Sequence, residues 1–406
     1  MKSEWEKVKI KDICSMICSG GTPKSTNPEF YNGTIPWLNT KEVNFSKIYE
    51  TTNFITQQGL ESSSAKWIPE NSIIIAMYGA TAAKVAISKI PLTTNQACCN
   101  LYINSLIADY QYIYYYLCRQ YEKLFALANG GAQQNLSMKV IKEFVVYLPP
   151  LVEQKAIAAV LSALDDKIEL NNRINKNLEA QTQAIFKSWF VDFEPFRDGE
   201  FVDSELGPIP KGWEIQTLKM CCDMIARGIT PKYTDISDQI VINQKCIRDH
   251  QANLEPARYH VPKVQNEKWL KFGDVLVNST GQGTLGRVAQ WYGYNINITV
   301  DSHVTIVRTN NHKLMHYLGQ LMISRETEIE SMASGSTGQT ELSRERLGSM
   351  SILLPDQDSL DLFSKIVEPM MVKVTANNRQ SKQLAILRDT LLPKLMSGEI
   401  RVPLEV

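Results

Sequence analysis

Apolar positions fall on two different periods along this chain, and stretches of the two alternate. From Val152 to Phe190 there is no proline and no glycine, and apolar residues step by fours and threes: Ile157, Leu161, Leu164, Ile168, then Leu178, Ile185 and Trp189. The same stepping returns at Phe363, Val367, Met370, Val374, Leu384, Leu391 and Leu395. A period near 3.5 held this long predicts a paired coiled-coil seam, although separate helical bundles also carry such stripes. Asn171 and Asn377 interrupt the two stripes at the same point. A polar seam residue costs stability and fixes register and partner. Pro369 is expected to kink the second helix early, and Pro393 sits near its end. A helix of roughly 35–40 residues is about 55 Å long. Two such helices lying antiparallel would carry a head at each end.

The remaining stretches read as strands. Candidates are Ser72–Met77, Lys84–Ser88, Glu143–Leu148, Asp274–Asn278 and His303–Arg308, with turn residues between them at Gly20-Gly21-Thr22-Pro23, Gly130-Gly131 and Gly335-Ser336-Thr337-Gly338. Tyr110–Ala126 and Leu314–Glu328 are predicted helices that pack on the two sheets.

The chain is written twice. A shift of 206 residues lays Leu148-Pro149 on Leu354-Pro355, Asn171-Asn172-Arg173 on Asn377-Asn378-Arg379, Leu178 on Leu384, Gln133 on Gln339 and Leu136-Ser137 on Leu342-Ser343. At a shift of 208, Trp5-Glu6 matches Trp213-Glu214 and Thr22-Pro23-Lys24 matches Thr230-Pro231-Lys232; at 202, Trp67 matches Trp269. Such drift is what loop insertions produce. The organisation predicted is α+β, with a pseudo-twofold internal repeat: a strand-rich domain over residues 1–147, a long helix over 148–190, a polar linker over 191–212, a second strand-rich domain over 213–353, a second long helix over 354–397 and a tail over 398–406. A duplicated protein of this kind suits a partner with its own approximate twofold, and a DNA duplex fits.

Composition changes this picture little. The 406 residues are 44% hydrophobic and 21% charged, without low-complexity tracts. Met1 to Asp12 is amphipathic rather than signal-like, and the apolar run Ile73 to Met77 is too short to span a bilayer, so a cytoplasmic protein is expected. Eight cysteines without a C-x-x-C pattern fit buried, reduced thiols. Net charge is zero, a mild argument against nucleic acid. The balance is uneven, however: residues 1–147 carry 14 Lys/Arg against 11 Asp/Glu and residues 213–354 carry 15 against 14, whereas 198–212 carry 1 against 4. Tight DNA binding would then need partners, because phosphate neutralisation supplies most non-specific affinity.

Three motifs carry a family resemblance. Tyr147-Leu148-Pro149-Pro150-Leu151-Val152-Glu153-Gln154-Lys155 resembles the "LPPL-x-EQ" entry to the conserved helix of type I restriction-modification specificity subunits. Gly207-Pro208-Ile209-Pro210-Lys211-Gly212-Trp213 is similar to the "P-x-GW" opening of their second target-recognition domain, and Leu395-Met396-Ser397-Gly398-Glu399-Ile400 to their C-terminal ending. The resemblance covers nearly the whole chain. It implies two target-recognition domains, each reading half of a split site in double-stranded DNA, and two helices that fix the unread gap and dock two methyltransferase subunits. Restriction/motor subunits would complete the complex. This chain would be a non-catalytic subunit without cofactor or metal. S-adenosylmethionine, ATP and magnesium would sit on the partners, which together would act as an adenine-N6 DNA methyltransferase and a site-specific deoxyribonuclease. Leu354-Pro355-Asp356-Gln357-Asp358 lacks the "PL-x-EQ" string, so docking at the second helix is expected to differ in detail.

Polar loop residues at matching repeat positions are the candidates for reading DNA. Gln and Asn pair bidentately with adenine, Arg and Lys with guanine or phosphate. They are Thr22, Lys24, Tyr78, Lys84, Gln133, Gln134 and Asn135 in the first repeat, and Arg227, Thr230, Lys232, Gln282, Thr284, Arg287, Ser336, Thr337 and Gln339 in the second. An ordinary polar surface loop is the competing reading of each.

Enzymatic signals are weak. Gly281-Gln282-Gly283-Thr284-Leu285-Gly286 matches G-x-G-x-x-G, but Arg287–Gly293 reads as a strand where a dinucleotide site needs a helix. Asn27-Pro28-Glu29-Phe30 departs from the N-P-P-[YF] signature of adenine methyltransferases at Glu29. His312 and His316 have metal-ligand spacing without a third ligand. A coiled-coil scaffold that binds protein through its heads, and a stand-alone adenine methyltransferase, are the alternatives.

Overall fold

The computed structural model describes residues 5–128, 135–261, 266–293, 297–309, 311–334 and 340–403. It is an α+β chain of two compact units, Met1–Glu169 with Ser381–Val406 and Leu170–Gln380, and the chain passes between them inside each long helix.

In the first unit, a five-stranded sheet runs in the order Cys14–Ser19, Cys98–Ile103, Ile73–Ala76, Val85–Ser88, Ser46–Ile48. It is antiparallel except for the last pair. A second sheet holds Phe54–Ile55, Tyr31–Leu38, Leu92–Thr94 and Trp67–Ile68. The strand Ile73–Ala76 is apolar throughout because both of its faces are covered. Ile73 and Ile75 join a core with Tyr112, Ile113 and Leu117 of the helix Tyr110–Arg119 and with Ile157, Leu161 and Leu395 of the long helices. Ile74 and Ala76 join Leu38, Ile68 and Leu92 of the second sheet.

The second unit repeats this plan. Its main sheet runs Met224–Arg227, Val304–Arg308, Val275–Asn278, Val288–Gln290, with a second sheet of Tyr233–Thr234, Arg258–His260, Ile240–Ile242 and Ile298–Val300. Val275 and Val277 face the helices, Leu276 the second sheet. Equivalent residues make equivalent bonds. Tyr112 Oη donates to the Tyr147 carbonyl at 2.8 Å, and Tyr317 Oη to that of Leu353. The Gly21 amide donates to the Thr94 carbonyl and the Ile229 amide to the Val300 carbonyl, both at 2.9 Å. A Cβ on Gly20 would lie 2.0 Å from the Thr94 oxygen, and one on Gly228 1.9 Å from the Val300 oxygen. Only glycine lets the chain pass there.

The long helices are Leu151–Phe190 and Gln357–Ser397. At the first one's start, Gln154 bonds the Pro149 carbonyl at 2.9 Å and receives the Asp109 amide at 2.9 Å, tying the helix to the first head. The second is capped by Asp356, which accepts from the Ser359 amide at 2.8 Å and from Trp213 Nε1 at 2.8 Å. Within each unit the two helices run antiparallel. In the first, Arg388 pairs with Asp165 and Arg401 with Glu153. In the second, Asn175 Nδ2 donates to Asn378 Oδ1 at 2.7 Å, Asn377 Nδ2 to Asn175 Oδ1 at 2.8 Å, and Asn171 Nδ2 to Gln380 Oε1 at 2.9 Å.

Several expectations are corrected. The helix expected over Tyr110–Ala126 is two, Tyr110–Arg119 and Tyr121–Ala126, broken at Gln120 so that Tyr121 can pack edge-on against Phe45. Its counterpart is likewise two, His312–Ser324 and Glu326–Ser331, broken at Arg325, whose guanidinium bonds the Ser351 carbonyl and Glu328. Glu143 ends a helix, Met138–Glu143, so that strand starts at Val145. Helical backbone runs unbroken through Pro369 and Pro393. Toward the end of the first long helix the buried positions are Phe186 and Phe190, flanked by half-buried Ile185 and Trp189. Residues 191–212 are more than a polar linker: Phe193 and Phe196 pack on Trp213, and Phe201–Val202 pairs with Ile209–Pro210.

Asn175→Ala leaves the Asn377 amide without its acceptor inside the seam and is expected to cost about 1–3 kcal/mol. Replacing Asn175 and Asn377 together by Leu should cost less than the two single changes summed, because both partners leave at once. Urea unfolding of the set checks this; additive losses would contradict it.

Candidate nucleic-acid interface

In the first unit, three loops leave one end of the main sheet. The Gly20 amide donates to the Cys98 carbonyl at 3.3 Å, the Met77 amide to Ala97 at 2.8 Å, and the Leu136 amide to Met77 at 2.8 Å. Tyr78 and Asn135 form an isolated antiparallel bridge. The segments bearing Thr22, Tyr78 and Asn135 therefore share that end. Thr22 is exposed, and its hydroxyl bonds Gln96 Oε1. Exposed Lys24 follows Pro23, whose carbonyl accepts Tyr31 Oη at 2.7 Å. Lys84 is engaged elsewhere, 2.8 Å from Asn44 Oδ1 and over the Phe45 ring. Gln133 and Gln134 lie outside the described residues.

The second unit builds the same edge. The Ser279 amide donates to the His303 carbonyl at 2.8 Å and the Leu342 amide to Ser279 at 2.9 Å. Thr280 bridges Glu341, and its hydroxyl is 2.7 Å from His303 Nδ1. Thr230, Lys232 and Gln282 are exposed on these loops. Arg227 is an anchor instead: its guanidinium bonds the Leu342 carbonyl at 2.9 Å and Glu341 at 2.6 Å. Arg287 likewise closes its own loop through the Gly283 carbonyl at 2.8 Å. The Thr284 hydroxyl is buried. Ser336, Thr337 and Gln339 lie outside the described residues.

Sequence reasoning missed Gln96, Thr280 and His303. The repeat alignment held a signal for His303, since Ala97 and His303 occupy matching strand starts 206 residues apart. It also missed Arg258, whose guanidinium carbon sits 3.7 Å from the centre of the Tyr233 ring, with Tyr259 exposed beside it. A stacked arginine next to an exposed aromatic suits phosphate or base contact.

The enzymatic signals resolve into structure. Gly281–Gly286 is the loop of an antiparallel hairpin, Val275–Asn278 with Val288–Gln290. Asn27 Oδ1 accepts the Glu29 amide at 3.2 Å and caps a short turn. Burial pushes the Cys14, Cys99, Cys118 and Cys222 thiols up to about 12, far from thiolate chemistry. His316 is buried and stacks on Tyr292 with ring centres 5.8 Å apart. Among the described residues no three His, Cys, Asp or Glu side chains converge as a metal site, and no helix is long and apolar enough to cross a membrane.

Comparison with known proteins gives a consistent result. The family model described as "Type I restriction modification DNA specificity domain" matches residues 2–180. The chain is 29% identical to the type I restriction enzyme MjaIX specificity subunit of Methanocaldococcus jannaschii, over 98% of this chain and 94% of that protein. It is 24% identical to the HindI specificity subunit of Haemophilus influenzae, over 69% and 74%. Among solved structures, the type I restriction-modification S subunit from M. genitalium shares the fold, with a TM-score of 0.63 at 18% identity over 97% of this chain and 96% of that one.

Burial, and then the nearby charge of His312, hold the His316 imidazole down at about 4. The Glu368 carboxylate 3.9 Å from Nε2 is itself mostly solvated and does not offset this. The unfolded chain, with an ordinary value near 6.5, binds the proton first, so stability is full above pH ~6.5 and falls as pH drops toward ~4. The loss is on the order of 3 kcal/mol. His316→Phe should remove that component from the pH dependence of the urea midpoint; an unchanged slope would contradict it.

Proposed function

We propose that this chain is a type I restriction-modification specificity subunit: it recognises a split sequence in double-stranded DNA and delivers it to the catalytic subunits of a type I complex. The observation that carries this reading is the duplicated loop edge. In each unit three segments are gathered at one end of a sheet by matching backbone bonds, and each edge carries exposed Thr and Lys at matching positions, Thr22 and Lys24 or Thr230 and Lys232. Hydroxyl, amide and ammonium groups are the donors and acceptors that base edges and phosphates require. Two such edges in one chain suit two half-sites.

The partners follow as part of the same reading. Two methyltransferase subunits dock on the long helices and bring S-adenosylmethionine to adenine, and restriction/motor subunits bring ATP and magnesium. The chain works in the cytoplasm as a non-catalytic subunit. Neither a protein-binding scaffold nor a stand-alone methyltransferase draws support from the relatives, which are named as specificity subunits.

Co-expression with its methyltransferase subunits should give a complex that protects one bipartite duplex site and methylates adenine in it, while the chain by itself transfers no methyl group. A complex without a footprint would favour the scaffold; methyl transfer by the lone chain would favour the enzyme. Within that complex, Lys24→Ala and Lys232→Ala should each weaken binding about equally on all sequences and lower the salt slope by about one. A changed base preference with an unchanged slope would make the lysine a base reader instead.

A further inference from the structure

We infer that Lys47 and Tyr49 are positioning residues: they lock the first head onto the helix pair, and so help set the separation of half-sites that the assembled complex accepts. The inference rests on the specificity-subunit reading above and concerns residues that neither the motifs nor the loop edges include.

Lys47 lies on Ser46–Ile48, the last strand of the five-stranded sheet. Its side chain is only 9% exposed, and its ammonium pairs with Asp166 on the first long helix, with Glu169 Oε2 3.9 Å away. Tyr49 Oη donates to the same Glu169 oxygen at 3.1 Å. One residue back on that helix, Asp165 accepts Tyr115 Oη at 2.6 Å from the head and Arg388 Nη1 at 2.7 Å from the second long helix. Three carboxylates in one helical turn thus gather the sheet, the head's own helix and both long helices at a single junction. A nearly buried ammonium is held tightly to such a place, because losing its carboxylates would leave an uncompensated charge.

The junction reaches the DNA-facing side of the head through backbone. The Phe45 amide donates to the Val85 carbonyl at 2.8 Å, with Phe45 at φ 51°. Asn44 and Phe45 hold Lys84, next to the loop that carries Tyr78. Displacement of the strand Ser46–Ile48 is therefore passed to the loop edge.

The second head is attached by different chemistry. The positions 206 residues after Asp165, Asp166 and Glu169 are Met371, Val372 and Thr375. In the second unit Gln251 donates its neutral amide to Glu179 at 2.7 Å, and Lys313 of the helix His312–Ser324 lies 3.7 Å from Asp361 of the second long helix. No carboxylate of the second long helix stands at the positions matching Asp165, Asp166 and Glu169, so removal of Lys47 loosens only the first head.

The test uses the full chain assembled with its methyltransferase subunits and duplexes that keep both half-sites while the gap is lengthened or shortened by one base pair. Lys47→Met is expected to raise the relative occupancy of the altered gaps roughly fivefold, the scale of coupling between contacting residues, with base preference in both half-sites unchanged. Lys47→Arg, and the exchange Lys47→Glu with Asp166→Lys, should keep the narrow preference. An unchanged gap profile in Lys47→Met overturns the inference. So does loss of binding at every gap that the charge exchange does not restore, which would make Lys47 a phosphate contact or a folding residue. If the wild-type assembly prefers no bipartite site at all, the specificity-subunit reading falls and takes this inference with it; a bipartite preference that Lys47→Met leaves intact removes the inference alone.

Discussion

The pleat of one short strand in each head is the constraint on which the rest depends. Ile73–Ala76 and Val275–Asn278 send alternate side chains into two separate cores, one closed by helices and one by a second sheet. A slip by one residue would exchange the two sets of side chains. With the register fixed, the strand ends are fixed, and with them the loops that leave at Met77 and Ser279. The loop edges are thus a product of packing several residues away, and their own polar side chains need contribute little to holding them.

Duplication preserved this backbone scheme and let the attachments diverge. The tyrosine-to-carbonyl bonds of Tyr112 and Tyr317 and the glycine passages at Gly20 and Gly228 recur in kind. The apolar contacts of heads with helices recur too, Ile157 and Leu161 in one core and Phe363 and Val367 in the other, but the polar ones do not: Asp165, Asp166 and Glu169 have Met371, Val372 and Thr375 at the matching sites.

The long helices and the central strands were legible in the sequence because periodicity reports burial directly, and Asn171 and Asn377 stood out as polar breaks in an apolar stripe. Asn175 and Thr182 did not, since a polar residue beside other polar residues gives no contrast, yet both are buried in the seam. The aromatic packing of Phe193, Phe196 and Trp213 was masked by the prolines, glycines and acids that surround it. At the candidate interface, residue type located the loops, but could not separate a reader from an anchor. Arg227 and Arg287 have the chemistry of guanine contacts and spend it on the carbonyls of Leu342 and Gly283. That distinction depends on which acceptors the fold brings within reach, and these come from segments 115 residues away in one case and 4 in the other.

The glycine passages carry a consequence for affinity. With the chain threaded against the Thr94 and Val300 carbonyls, the roots of the first loop in each head lose their conformational freedom during folding. Under the function proposed for these loops, less disorder then remains to be surrendered when a duplex arrives. A protein with no net charge has little long-range attraction to offer a polyanion, and pre-organisation of this kind is one way for it to bind DNA without that help.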